Sequence, residues 1–388
     1  MNIKNPLIIL GSTGSVGIQS IDVAIKNGIP VDCIAAGSNS REIEKQARML
    51  GVSSCAMADP AAAHDLKLRL ADTEIAIYSG TDGICEMIER SNAKIALNAI
   101  TGRAGLLPTL SVIKSKKALA LANKESLVVA GNIVMAEVAK NEVPIIPVDS
   151  EHCAIHQCLK CGQKKEVKNI LLTASGGPFY NKKAEEIRNS SKEQVLAHPT
   201  WNMGAKITAD SATLMNKGFE VIEAMHLFDV SASNIKVVIH RESIIHSMVE
   251  YIDNSVIAQM SVPDMRFCIQ YALSYPERIQ AVSQPLDLAN IGNLTFGKPD
   301  TEVFPLLDAA FYAAEKGGAV PAVLNAANEI AVNAFLNDKI KFYEIAESVL
   351  SVLHSMEKEA AAISSLEGIM EADIKARAYT QEYFNAKL

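Results

Sequence analysis

The stretch Leu7-Ile8-Ile9-Leu10-Gly11-Ser12-Thr13-Gly14-Ser15-Val16-Gly17 decides the fold. Four apolar residues make a short strand of the kind buried in a parallel sheet. The glycines at 11, 14 and 17 then let the backbone turn sharply into a helix, whose N-terminal amides and dipole can receive a pyrophosphate. The spacing is GxxGxxG instead of GxGxxG, so an ordinary glycine-rich turn is the competing reading. Its place between strand and helix favours a dinucleotide, with Thr13, Gly14, Ser15 and Val16 as the contacts.

Outward from this motif, apolar strands alternate with helical stretches, the pattern of a parallel sheet covered on both faces. The strands are expected at Leu7 to Leu10, Val31 to Ala36, Ile75 to Tyr78, Ile95 to Asn98, Ala118 to Ala122 and Pro144 to Val148. Between the first two, a helix over Ile18 to Asn27 carries Ile18, Ile21, Ala24 and Ile25 on one face and stops at Gly28 with Pro30 beyond. After residue 150 the pattern becomes mixed, with strands at Leu171 to Ala174, Ile235 to Ile239, Ile244 to Tyr251 and Val256 to Ser261. A run without clear period over 281–300 reads as a linker, and Ala-rich helices follow at 305–315, 321–336, 342–356 and 365–386. The fold class is therefore α/β: a Rossmann-like N-terminal domain (1–149), a central α+β domain with a mixed sheet (150–280), a linker (281–300) and a C-terminal helical bundle (301–388).

Composition narrows the function. With 44 acidic against 37 basic residues in 388, and no long basic run, a nucleic-acid partner is excluded. No apolar run has the length of a membrane span and the N-terminus leads straight into a strand, so a cytoplasmic protein is expected. Seven scattered cysteines suit reduced thiols. The cluster His152-Cys153-x-x-His156-x-Cys158-x-x-Cys161 lacks the second ligand pair of a structural zinc site and reads as a helix with a buried Cys face.

Several segments carry candidate chemistry. The end of the second strand, where an NAD enzyme places an acid for the ribose 2′-hydroxyl, holds Gly37-Ser38-Asn39-Ser40-Arg41. Hydroxyl, amide and guanidinium donors there fit a 2′-phosphate, so NADPH is expected over NADH. Asp149 and Glu151 follow the last strand of the first domain and form a hard-oxygen pair suited to Mg²⁺ or Mn²⁺, if strand geometry persists. The alternative is a pair of acids favoured by a helix N-terminus. Ser175-Gly176-Gly177-Pro178 is a small-residue loop able to cradle a phosphate. The run from Asp210 to Glu220 supplies the phosphate donors Ser211, Asn216 and Lys217, with Glu220 as a possible third metal ligand. His198-Pro199-Thr200-Trp201-Asn202-Met203-Gly204, with the only tryptophan, is suited to closing over a ligand; Trp201 as a core anchor is the plainer reading.

Together with Leu121-Ala122-Asn123-Lys124-Glu125-Ser126 and Val148-Asp149-Ser150-Glu151-His152, these motifs closely resemble, over nearly the whole chain, the 1-deoxy-D-xylulose 5-phosphate reductoisomerase family. The resemblance implies a V-shaped homodimer that converts a small phosphorylated sugar, 1-deoxy-D-xylulose 5-phosphate, to 2-C-methyl-D-erythritol 4-phosphate. The expected route is a metal-assisted retro-aldol/aldol rearrangement followed by hydride transfer from NADPH. It implies that Asp149, Glu151 and Glu220 ligate the metal and that Ser175, His198, Ser211, Asn216 and Lys217 surround the phosphate. Lys124 and Ser150 are implied at the reacting end of the substrate, and Asn123, Glu125 and Gly204 along the cofactor. Some family members carry Lys or Arg where this chain has Ser38, so Arg41 or Asn39 is expected to take that duty. The rival among enzymes is an NADP-dependent dehydrogenase of the homoserine or semialdehyde type, which needs neither three metal carboxylates nor a phosphate pocket.

Overall fold

The computed structural model describes residues 5–201 and 203–386, so Asn202 of the tryptophan loop lies outside the described residues. The chain divides into two compact units. The first comprises Met1–Ser126, Ile133–His156 and Asp264–Pro285, and the second Leu127–Asn132, Gln157–Pro263 and Leu286–Leu388.

The first unit is built on a parallel seven-stranded sheet of order β4-β3-β2-β1-β5-β6-β7. Its strands are β1 (Leu7–Leu10), β2 (Val31–Ala36), β3 (Ser54–Met57), β4 (Ala76–Ser79), β5 (Ile95–Asn98), β6 (Ala118–Leu121) and β7 (Ile145–Pro147). β1 pairs with both β2 and β5, so the strand order reverses beside it and a crevice opens at its carboxyl end. Six strands stand where periodicity places them, to within a residue or so. β3 escaped because Ser-Cys-Ala-Met has little β propensity; its burial between β2 and β4 makes it a strand.

The helix Ser15–Lys26 forms and ends before Gly28 as expected, but its buried face differs. Ile18 and Ile25 are 50% and 53% exposed, whereas Gly17, Ser20, Ile21, Val23 and Ala24 face inward. The reason is close approach: a Cβ on Gly17 would lie 2.2 Å from the Gly11 carbonyl oxygen, so only the smallest residue lets the helix seat there. The late helix Met265–Ser274, expected in the central domain, adds Cys268, Ile269 and Leu273 to this unit's core.

The second unit carries a mixed sheet of order β11-β10-β8-β9, formed by β8 (Val167–Ala174), β9 (Ile235–Ile239), β10 (Ile245–Tyr251) and β11 (Val256–Met260). β8 and β9 run parallel, and β10 is antiparallel to both β8 and β11. The segment 281–300 is largely irregular, with a short helix Leu288–Ile291 and a bridge from Gly297 to Ile239. Four helices follow: Pro305–Lys316, Val320–Leu336, Phe342–Ala360 and Leu366–Asn385. Val320–Leu336 is buried along most of its length and forms the bundle's centre. Among the described residues, no helix is long and apolar enough to cross a membrane.

Candidate active site

In the first unit the glycine loop sits at the reversal point of the sheet. Gly11 has φ +84°, and a Cβ on it would lie 2.6 Å from the Ala99 carbonyl oxygen, so the loops after β1 and β5 touch through it. Gly14 has only its own loop nearby and is exposed beside Ser15, with Thr13 and Val16 half-buried. No side chain caps the helix that starts at Ser15, which leaves its first amides to an anion. The Ser12 hydroxyl oxygen, fully buried, has no partner among the described residues. A cradle of this kind fits a pyrophosphate.

Gly37, Ser38 and Asn39 are exposed at the end of β2. The Asn39 side-chain oxygen accepts from the Glu42 amide at 3.1 Å and caps the next helix, so its NH₂ is the outward donor. Ser40 donates to Asp65 at 2.6 Å, which leaves Ser38 as the hydroxyl not engaged in that contact. Asn123, expected along the cofactor, is a buried brace: its NH₂ donates to the carbonyls of Ile100 (2.6 Å) and Gly102 (2.9 Å) and to Glu125 (3.1 Å). Its oxygen accepts from the Ser126 amide at 2.9 Å.

Asp149 and Glu151 correct one expectation. β7 ends at Pro147, so strand alternation does not align these carboxylates; they stand at the start of the helix Ser150–Cys158. Asp149 Oδ1 accepts from the Glu151 amide at 3.1 Å and faces His152 Nδ1 at 3.0 Å. Its Oδ2 accepts from Lys124 Nζ at 2.9 Å, with both side chains nearly buried. Ser150 Oγ donates to Glu151 Oε2 at 2.6 Å. The helix-start arrangement is thus the one observed, with the Lys124 ammonium, the Ser150 hydroxyl and the Glu151 amide orienting the two carboxylates. Cys153 and Cys158 form the buried Cys face of this helix.

In the second unit the loop after β8 is tied from three sides. His198 is neutral near pH 7, because burial, with the Arg241 charge, pulls its pKa down to about 4. Its Nδ1 accepts from the Thr200 and Trp201 amides at 3.3 and 3.0 Å, so the ring proton sits on Nε2. Nε2 then donates to Ser175 Oγ at 2.9 Å, and the Gly177 amide donates to the same oxygen at 3.2 Å. With both lone pairs engaged, the Ser175 hydroxyl is left as a donor, the polarity a phosphate needs. Arg241 fixes the loop from behind, donating to the carbonyls of Ser175 (2.7 Å) and Gly177 (2.6 Å). Arg241 was not legible in sequence, since a lone arginine after a strand gives no signal.

Gly177, at φ +62°, packs so closely on the helix Ala205–Ala212 that a Cβ would come within 2.8 Å of the Ser211 carbonyl oxygen. That helix meets the next, Met215–Phe228, through Leu214 in the left-handed region at φ 59°. In the first turn of the second helix Asn216 donates to Glu220 Oε1, one turn on, at 2.6 Å, and Lys217 pairs with Glu220 Oε2, all at low exposure. Donors and acid thus share one helix face, as i, i+3 and i+4 spacing requires. Trp201 is half-buried, 6.1 Å from the His246 ring between centroids, and Gly204 is exposed at the start of the helix Ala205–Ala212.

Family models match in three consecutive pieces. One described as 1-deoxy-D-xylulose 5-phosphate reductoisomerase covers residues 7–131, its C-terminal domain covers 145–228, and a DXP reductoisomerase C-terminal domain covers 260–379. The 1-deoxy-D-xylulose 5-phosphate reductoisomerase of Acetivibrio thermocellus is 49% identical over 97% of this chain and 99% of its own. A solved reductoisomerase from Zymomonas mobilis in complex with NADPH superposes with a TM-score of 0.91 at 39% identity, covering 98% of this chain and 99% of that one. A DOX-P reductoisomerase in complex with NADPH, fosmidomycin and magnesium superposes with a TM-score of 0.94 at 37% identity, covering 98% of each. Matched by relatives of that name over nearly all of its residues, the chain belongs to the 1-deoxy-D-xylulose 5-phosphate reductoisomerase family.

Proposed function

We infer that this chain converts 1-deoxy-D-xylulose 5-phosphate to 2-C-methyl-D-erythritol 4-phosphate with NADPH and a divalent cation, Mg²⁺ or Mn²⁺, in the methylerythritol phosphate route to isoprenoids. The observation that carries this reading is the likeness over 97% of the chain to an enzyme of that name. The residues fit the groups that such a reaction needs. Asp149, Glu151 and Glu220 each offer a carboxylate oxygen, the donor type that a hard divalent cation prefers. The glycine loop after β1 holds the pyrophosphate of the dinucleotide, and Ser38, Asn39 and Arg41 the 2′-phosphate. When bound, the cation polarises substrate oxygens and the reduced nicotinamide supplies the reducing equivalents.

The protein's own part is orientation and charge. Ser175, His198, Ser211, Asn216 and Lys217 hold the phosphate, a non-reacting handle whose binding energy orders the site. Lys124, beside Asp149, carries positive charge toward the reacting end with Ser150, while Asn123, Glu125 and Gly204 border the cofactor. Trp201 and its loop exclude water. The functional division is a nucleotide domain over 1–149, a catalytic domain over 150–280, a linker over 281–300 and a C-terminal domain over 301–388. A homodimer and a cytoplasmic location belong to the same reading. The support for the dimer is β11, an open edge of the second sheet, where Val256 is 47% exposed beside Ile252 at 63%. A dehydrogenase of the homoserine or semialdehyde type would leave the phosphate loop and the acids without a task.

The test follows NADPH absorbance with 1-deoxy-D-xylulose 5-phosphate before and after a chelator. Oxidation that stops with the chelator and returns with Mg²⁺ is expected; a rate indifferent to metal removal sinks this reading.

A further inference from the structure

Helix Val320–Leu336 lies at the centre of the C-terminal bundle, yet it buries Asn325 and Asn328 among alanines and valines. Asn328 is fully buried; its Nδ2 donates to Asp210 Oδ1 at 2.7 Å across 118 residues of sequence. Its Oδ1 is buried with no partner among the described residues. An amide in that position carries an unsatisfied acceptor that an apolar side chain of the same size would not, so packing alone does not account for it. Asp210, 1% exposed, has a second partner in Lys206, whose Nζ lies 2.8 Å from Oδ2.

We propose that Asn328 is a positioning residue for substrate-phosphate binding, acting through Asp210 on Ser211. The path is short and made of contacts within the second unit. Asp210 and Ser211 share the last turn of the helix Ala205–Ala212, so the pull of Asn328 and Lys206 on the two oxygens of Asp210 fixes that helix's rotation and the aim of the Ser211 hydroxyl. The same turn carries the Ser211 carbonyl against which Gly177 is seated, and Gly177 belongs to the loop that presents Ser175. One buried hydrogen bond from the bundle thereby sets both walls of the phosphate site, which gives the C-terminal domain a task in the reaction. This inference rests on the proposed function.

The experiment compares Asn328→Leu and Asn328→Ala with the full-length wild-type protein. Both remove the amide that donates to Asp210, and Asn328→Ala, which adds no bulk among the buried neighbours, serves if Asn328→Leu fails to fold. Expected for either is a rise of about tenfold in KM for 1-deoxy-D-xylulose 5-phosphate, the loss of about one oriented hydrogen bond, with kcat and NADPH affinity within about twofold. A matching rise is expected in the inorganic phosphate concentration that changes the fluorescence of Trp201. A lower melting temperature with unchanged KM and phosphate affinity overturns the proposal, as does a parallel loss of kcat, KM and NADPH binding. The phosphate titration needs no turnover: absence of any reaction in the wild-type protein would remove the proposed function, whereas the titration tests Asn328 in either case.

Discussion

Replacing Arg241 with Met should separate the phosphate site from the rest of the enzyme. The guanidinium makes two hydrogen bonds, of 2.7 and 2.6 Å, to the carbonyls of Ser175 and Gly177, and methionine keeps the apolar stem while removing both. A hydrogen bond to a charged group contributes about 1.5–3 kcal/mol, so two set a ceiling of roughly 6 kcal/mol. Arg241 is only partly buried, and water can reach the carbonyls it leaves, so about 2 kcal/mol is expected, a rise of roughly 30-fold in KM. The same change alters the pH profile. In the wild-type protein His198 accepts two amides at Nδ1 and loses that capacity as pH falls through about 4. Burial is the larger cause of its depressed pKa and Arg241 the second, so removing Arg241 moves the acid limb of kcat/KM part of the way up toward the ordinary histidine range. Initial rates from pH 4 to 8 at several substrate concentrations measure both. A KM within twofold of wild type, with an unmoved acid limb, would refute the assignment of Arg241 and of the His198 tautomer.

Glu220→Gln keeps the shape of the side chain and removes its charge; turnover should fall by about 10³-fold or more with NADPH affinity nearly unchanged, as read by cofactor fluorescence. An unaltered kcat would show that Glu220 serves only to neutralise Lys217. Gly17→Ala places a Cβ 2.2 Å from the Gly11 carbonyl and should cost about 3 kcal/mol in denaturant unfolding together with NADPH binding. Gly14→Ala, whose nearest atom is 3.4 Å away, should change stability by no more than about 0.5 kcal/mol, and equal losses for both would refute the seating argument.

Order along the chain was legible because local physics writes it. Buried strands, glycine turns and proline-started helices fix their own positions, and the runs 11–17, 175–178 and 210–220 offer, through residue type, the donors that an anion would need. Tertiary structure decided what depends on partners distant in sequence. β3 is a strand because β2 and β4 flank it, and the inward face of the helix Ser15–Lys26 is chosen by where a Cβ has no room, which hydrophobic spacing cannot register. Asp149 and Glu151 look alike in sequence whether they begin a helix or end a strand, and only the stop at Pro147 settles it. Arg241 and Asn328 gave no signal at all, since a lone arginine or asparagine takes its meaning from the carbonyl or carboxylate that the fold brings to it across tens of residues of chain.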